Sequence, residues 1–169
     1  MRRLAPALLV LLLVTGCSDG GDPLPDSASA DAVLRGRPTL EQEQARLTAV
    51  GEQVRDALSS RLGLSMWSQA DPGNAAGCGD DPDSDGFMAF LPLLALTGGV
   101  PDGQWNQAVT VVEEVAGGAG FGKAERVVDQ PGQHEVVLRG ERESLLRFGT
   151  TLDATLRLET GCHLPQAPP

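Results

Sequence analysis

Few side chains in this sequence stand at spacings that chemistry can use. Asp81-Pro82-Asp83-Ser84-Asp85-Gly86 puts carboxylates at alternate positions before a glycine. That is the first half of a calcium loop, where oxygens at positions 1, 3 and 5 face one ion and Gly turns the backbone. The twelfth position, which needs a bidentate Glu, is Pro92, and no Asp or Glu follows until Asp102. The run therefore reads first as a solvated acidic turn, with calcium at Asp81, Asp83 and Asp85 as the alternative. Two histidines remain, His134 at the start of an apolar alternation and His163 directly after Cys162. Neither has neighbours at zinc-ligand spacing, and no Gly-x-Ser-x-Gly elbow presents a nucleophile. A triad assembled across the fold stays open, but both histidines are expected to be structural or exposed. Gly117 to Gly122 follows a helix pattern instead of opening one and lacks Lys-Ser/Thr, which excludes a phosphate loop. No catalytic residue and no cofactor is assigned, and the chain is expected not to be an enzyme.

The cysteines are more informative. Cys17 follows Val14-Thr15-Gly16, after a basic Met1-Arg2-Arg3 and an apolar Leu4–Val14 stretch. Charge, short apolar run and small residues in that order read as an export signal. The stretch is well short of the roughly 20 residues of a membrane-spanning helix. Branched apolar, small, Gly, then Cys resembles the lipobox of bacterial lipoproteins. That resemblance implies a diacylglyceryl group on the Cys17 thiol, cleavage before it and acylation of the freed amine. Two or three acyl chains hold a protein stably where one is marginal. The expected location is the extracytoplasmic face of the cell membrane, with the lipid as the attachment. Cys78 and Cys162 then remain, and an exported pair in an oxidising compartment is expected to form a disulfide; a metal or redox pair is the alternative, without a CxxC to support it.

The charge balance narrows the partners. The chain has 13 Lys and Arg against 23 Asp and Glu, and removing Arg2 and Arg3 with the signal leaves a net charge of −12. No basic cluster survives to meet nucleic acid, and the acidic body is repelled by an anionic membrane surface. An envelope protein or a small apolar ligand, a lipid included, fits better. The six aromatics after Cys17 (Trp67, Phe87, Phe90, Trp105, Phe121 and Phe148) fall mostly on apolar stripes, so they are read as core. A groove between two helices or beside Phe87–Leu96 is the expected place for a ligand.

The elements that would carry these residues can be read in order. Residues 1–16 form the signal and 17–37 a tether rich in Gly, Pro, Ser and Asp with no apolar period. Residues 38–165 form one domain, and 166–169 a disordered tail. Thr39 with Gln42 predicts a capping box at the start of a helix over 40–62. Leu47, Val50, Val54, Ala57 and Leu58 form its apolar side, and Glu43 with Arg46 and Glu52 with Arg55 its exposed pairs. A short strand over 64–69 includes a half-buried Trp67, and Asp71–Gly86 is a long loop. Pro92 makes Phe87–Leu96 an edge strand or extended segment. A second helix starts with Asp102 as N-cap and carries Trp105, Ala108, Val109, Val112, Val115 and Ala116 on one stripe until Gly117. Ala124–Asp129 and His134–Arg139 pair about a Pro131-Gly132 type II turn, and Ser144–Phe148 follows. Thr151–Thr160 alternates Leu152, Ala154, Leu156 and Leu158 inward, and its parity puts Cys162 on the packed face. Two helices on one face of a mostly antiparallel sheet make an α+β two-layer sandwich.

With that layout, the chain resembles the LppA-type lipoproteins of mycobacteria and related actinobacteria. The likeness rests on the lipobox, Pro38-Thr39-Leu40, Trp67, Gly77-Cys78-Gly79, Trp105 with Ala108-Val109, Phe148-Gly149-Thr150 and Thr160-Gly161-Cys162-His163-Leu164-Pro165. It implies a surface lipoprotein whose two remaining cysteines are placed to pair, and it brings no catalytic residues. The functional expectation is a lipid-anchored, non-enzymatic binding or interaction module of the cell envelope. A small apolar-ligand or lipid carrier is the alternative, followed by a calcium-binding protein or a hydrolytic enzyme.

Overall fold

The computed structural model describes residues 32–78 and 84–167. Helix α1 spans Leu40–Leu62 and helix α2 Asp102–Gly117. The strands are β1 (Trp67–Asp71), β2 (Asn74–Gly77), β3 (Phe87–Phe90), β4 (Leu93–Leu96), β5 (Glu125–Gln130), β6 (Gln133–Arg139), β7 (Leu145–Thr150) and β8 (Ala154–Glu159). Every ladder is antiparallel, in the order β1-β4-β8-β7-β6-β5. Strands β3 and β4 lie end to end beside β8, and β2 and β1 lie end to end beside them. The result is the expected α+β sandwich: both helices pack on one face of the sheet.

Helix α1 forms as its sequence asks. The Thr39 hydroxyl accepts from the Gln42 amide, and the Gln42 side chain accepts from the Thr39 amide. Leu47, Val50, Val54 and Leu58 are buried against α2 and the sheet. From α2 come Trp105, Ala108, Val112 and Ala116, and from the sheet Leu138, Leu146, Phe148, Ala154 and Leu156. The β5–β6 turn also follows the sequence, with Gly132 at φ 75°, the left-handed value that position i+2 of a type II turn requires.

Elsewhere tertiary pairing overrides local signals. Asp71–Gly86 is not all loop: Asn74–Gly77 pairs with β3 from Asn74↔Phe90 to Gly77↔Phe87. Ala and Gly carry no strand propensity or period, so only the partner makes this a strand. Phe87–Leu96 is not an edge strand, because β1 and β2 cover one side of it and β8 the other. Pro92 is tolerated there because it sits in the break between β3 and β4, where no ladder needs its missing N–H. Leu152 does not pack. It is 89% exposed in the β7–β8 turn, since β8 starts only at Ala154. The alternation also stops at Glu159, after which Thr160 and Gly161 are both buried and Cys162 is half-buried.

Two boundary readings change. Order begins before residue 38: residues 32–34 are helical, Leu34 is buried, and Arg37 donates to the Cys162 carbonyl at 3.0 Å. Asp102 lies in the first turn of α2, but Pro101 is its N-cap and no side chain caps the helix. The Asp102 carboxylate is drawn away to the β5–β6 turn, where it accepts from the Gly132 amide at 3.0 Å.

Candidate functional site

Cys78 and Cys162 are joined in a disulfide. The bond ties the end of β2 to the C-terminal segment, which continues past β8 along β3. Thr160 donates its amide to the Ala89 carbonyl and accepts the Ala89 amide on its hydroxyl, and Phe87 and His163 exchange both backbone hydrogen bonds. Beyond them the Leu40 amide donates to the Leu164 carbonyl. Residues 160–164 thus strap the start of α1 to the sheet.

His163 is fully buried in this strap. Its Nδ1 lies 2.8 Å from the Pro38 carbonyl, which can only accept, so Nδ1 carries the proton and donates. Its Nε2 is buried with no partner. Nearby, Glu43 is 1% exposed, which corrects its reading as a surface residue. Both its oxygens accept from Arg46, at 2.6 and 3.0 Å, and Arg142 stands 3.9 Å away. The other expected pair is absent: Arg55 binds Asp56 at 2.9 Å instead of Glu52. Burial works against a charge on Glu43, but the hydrogen bonds and charge of Arg46, with the charge of Arg142, outweigh it and hold the carboxyl below its ordinary 4.5. Arg142 and Glu143 reach this corner through left-handed backbone (φ 53° and 67°), uncommon for residues with side chains. Gly161 makes the close approach possible, since a Cβ there would overlap the Arg142 carbonyl.

Glu43 also gives a pH prediction with a definite sign. A carboxyl whose folded pKa is depressed stabilises above its unfolded pKa, and that stability is lost as pH falls through the folded value. Glu43→Gln is expected to cost about 1–3 kcal/mol at neutral pH. Its melting temperature should also decline less than that of the unchanged protein below pH 4.5. Thermal melts across that range, followed by circular dichroism, check both.

His134 occupies a second polar corner, between the start of α2 and the β5–β6 turn. It is 9% exposed, with Nδ1 2.8 Å from an Asp129 oxygen and Nε2 3.1 Å from an Asp102 oxygen. Its ring stacks on Trp105 at 5.2 Å, and Trp105 stacks on Phe148 at 5.1 Å. A general base needs a free nitrogen facing a nucleophile. Both nitrogens of His134 face carboxylates; Nδ1 of His163 is committed to Pro38, and its unpartnered Nε2 is buried away from solvent with no hydroxyl or thiol against it. The two histidines belong to separate clusters, and both are buried instead of exposed.

Beside Pro92, one of the two places the sequence offered for a groove, a cleft of about 180 Å³ lies between α1 and β4/β8, next to an open depression of about 450 Å³ that shares Thr48, Leu91 and Pro92 with it; between the two helices, the other place, lies an open depression of about 830 Å³ bordered by Val50 and Val115. Leu91, Pro92, Leu94 and Leu156 line the cleft, with Glu52 and Arg55 also bordering it. The 180 Å³ cleft is smaller than the roughly 300–1,000 Å³ of ordinary ligand pockets, a size that suits one apolar side chain. Of the acidic run, Asp81 and Asp83 lie outside the described residues, while Asp85 is exposed. Gly86 has a packing role of its own, since a Cβ there would come within 2.7 Å of Leu34. Among the described residues no group of three or more His, Cys, Asp or Glu gathers as metal ligands. No described helix is long and apolar enough to cross a membrane. Cys17 also lies outside the described residues.

Fold and corners together define a disulfide-closed α+β sandwich with buried polar clusters and no assembled catalytic set among the described residues. The chain belongs to the LppA family, described as a lipoprotein confined to pathogenic Mycobacterium, whose profile matches residues 21–166. Two crystal structures share the fold. The lipoprotein LppA of Mycobacterium tuberculosis has a TM-score of 0.59 at 16% identity, over 86% of this chain and 100% of that one. A DUF4853 family protein of Actinomyces odontolyticus ATCC 17982 has a TM-score of 0.61 at 14% identity, over 80% of this chain and 74% of that one. No curated protein matches in sequence.

Proposed function

We propose that this protein is a lipid-anchored binding module on the extracytoplasmic face of the cell membrane, held there by acyl chains on Cys17 and without an enzymatic role. The observation that carries the reading is the division of labour among three cysteines. Cys17 follows an export signal and a lipobox-like tripeptide, and the other two are bonded to each other, as an oxidising compartment favours. Membership of a lipoprotein family supports the same reading. The non-enzymatic part draws on the two histidines, each held in a buried cluster with no nucleophile among its hydrogen-bond partners. The apolar lining of the Pro92 cleft supports a protein partner that inserts one apolar side chain there.

Mass spectrometry of the native protein tests the anchor. The expected result is a chain beginning at residue 17 with a thioether-linked diacylglyceryl group, recovered in the detergent phase. Cys17→Ser should move the protein to the aqueous phase. An unmodified thiol at residue 17, with the protein free in the culture fluid, overturns the proposal.

A further inference from the structure

The His134 corner asks for more donors than a neutral histidine has. Nδ1 lies 2.8 Å from an Asp129 oxygen and Nε2 lies 3.1 Å from an Asp102 oxygen. A neutral imidazole donates from one nitrogen and accepts on the other. One of the two contacts would then set a ring lone pair against a carboxylate oxygen at hydrogen-bond distance. Both carboxylates already accept from other donors, Asp102 from the Gly132 amide at 3.0 Å and Asp129 from Arg126 at 3.1 Å. Only the doubly protonated ring donates to both. The stack on Trp105 agrees with that state. The ring centroids are 5.2 Å apart and the planes 16° from parallel, a separation at which a cation is attracted to an indole face.

Few charges face the ring. Asp102 comes from α2 and Asp129 from β5, with Arg126 behind Asp129, while β7 brings the uncharged Thr150 opposite His134. Glu135 and Arg147 belong to the other face of the sheet, because side chains alternate along β6 and β7.

We propose that His134 is a proton-operated latch between the β5–β6 hairpin and α2, closed while both ring nitrogens carry protons and loosened when one leaves. The latch fastens the tip of the hairpin. Asp129 and Gly132 lie at the turn and Asp102 lies in the first turn of α2, so the ring joins elements 30 residues apart. Loss of a proton leaves one hydrogen bond and turns the other into a repulsion. Arg126 supplies a tie that does not titrate, donating to Asn106 on α2 at 2.7 Å, so the hairpin stays attached while its tip moves off Trp105. A fold that holds a proton which the unfolded chain releases loses stability as pH rises. That sign is opposite to the one for Glu43, whose contribution fades as pH falls. The latch is a property of the domain alone, independent of the anchor and of any partner.

NMR of the full chain in detergent, at about pH 5.5 and about pH 8.5 to bracket the ordinary histidine range, tests the latch. At the lower pH both ring nitrogens of His134 should show the chemical shift of a protonated nitrogen, with the Gly132 amide protected from hydrogen exchange. At the higher pH the Gly132 protection factor, which corrects for faster intrinsic exchange, should fall at least about tenfold, the worth of one hydrogen bond to a charged group. Protection at Leu146, inside β7, should stay unchanged. Asp102→Asn is the decisive variant. Its side-chain oxygen can keep the Gly132 amide while its NH2 donates to Nε2, an arrangement that a neutral ring accepts, so Gly132 should stay protected at both pH values. In His134→Gln, protection of Gly132 should be the same at both, and melting curves identify any variant that fails to fold. Equal protection of Gly132 at the two pH values in the unchanged protein, the same loss in Asp102→Asn, or a loss shared by Leu146 overturns the inference.

Discussion

Loss of the Cys78–Cys162 bond should lower the stability of the domain by about 4.5 kcal/mol and loosen one end of it first. The magnitude follows from the 84-residue separation of the two cysteines, whose loop-closure entropy in the unfolded chain is worth about that much. It is a large share of the roughly 5–15 kcal/mol that holds an ordinary domain together. The location follows from what the bond fastens. Residues 160–164 clip α1 to β3 through single-file hydrogen bonds at Ala89, Phe87 and Leu40. The β5–β6–β7 ladders lie on the other side of the sheet and are closed by contiguous pairing. Cys78→Ala with Cys162→Ala should therefore raise hydrogen exchange at Phe87, Ala89 and Leu164 well before it does so at Val136 or Leu138. Urea unfolding gives the total and exchange the distribution. Uniform loss of protection over the whole sheet would show that the strap does not act as a separate unit.

How far the sequence discloses this molecule depends on where each residue's partner lies. Helix α1 was legible to its last residue because its signals are local: Thr39 with Gln42 at one end, Gly63 at the other, and an apolar stripe between. The β5–β6 hairpin was legible for the same reason, its turn residues sitting within four positions. Strand β2 was not, because Asn74-Ala75-Ala76-Gly77 becomes a strand only through a partner beyond the acidic loop. Asp102 sits where caps sit, but Gly132 and His134, 30 and 32 residues on, compete for its oxygens. Glu43 looked like half of a surface pair. Its partner Arg46 was visible at i+3, but its burial depends on Arg142 and the C-terminal strap, which arrive about a hundred residues later.

The candidate sites divide along the same line. The pairing of Cys78 with Cys162 could be assigned from sequence, since an exported pair leaves few arrangements, and the disulfide is present. The two histidines could be located on elements but not placed in clusters. The cross-strand pair of Arg147 and Arg157 left no mark, because it depends on the register of β7 against β8. Arg147 and Arg157 stand ten residues apart, and only the β7–β8 pairing sets them side by side. Gly149, between Phe148 and Thr150, lies inside β7, where a Cβ would meet the His134 carbonyl at 3.2 Å, a contact that only the β6–β7 register creates.

Trp105→Ala should be the most damaging single truncation in the core, costing about 3–5 kcal/mol. Trp105 is 1% exposed and stands between the His134 and Phe148 rings, near-parallel to both at 16° and 15°. Truncation removes two ring contacts and leaves a cavity where α2 meets the sheet. It also uncovers His134, the residue that joins Asp102 on α2 to Asp129 on β5. Shape and hydrogen bonding can be separated, because the indole Nε1 is buried without an acceptor. Replacing the indole by a smaller apolar ring therefore sacrifices volume but no hydrogen bond. Trp105→Phe should accordingly keep most of the stack and cost less than half as much as the alanine. In a domain of this size the alanine variant should melt about 6–20 °C lower, at roughly 2–4 °C per kcal/mol. Calorimetric melts of both variants check the ratio. If phenylalanine costs as much as alanine, the indole's bulk, and not the stack of rings, holds α2 to the sheet.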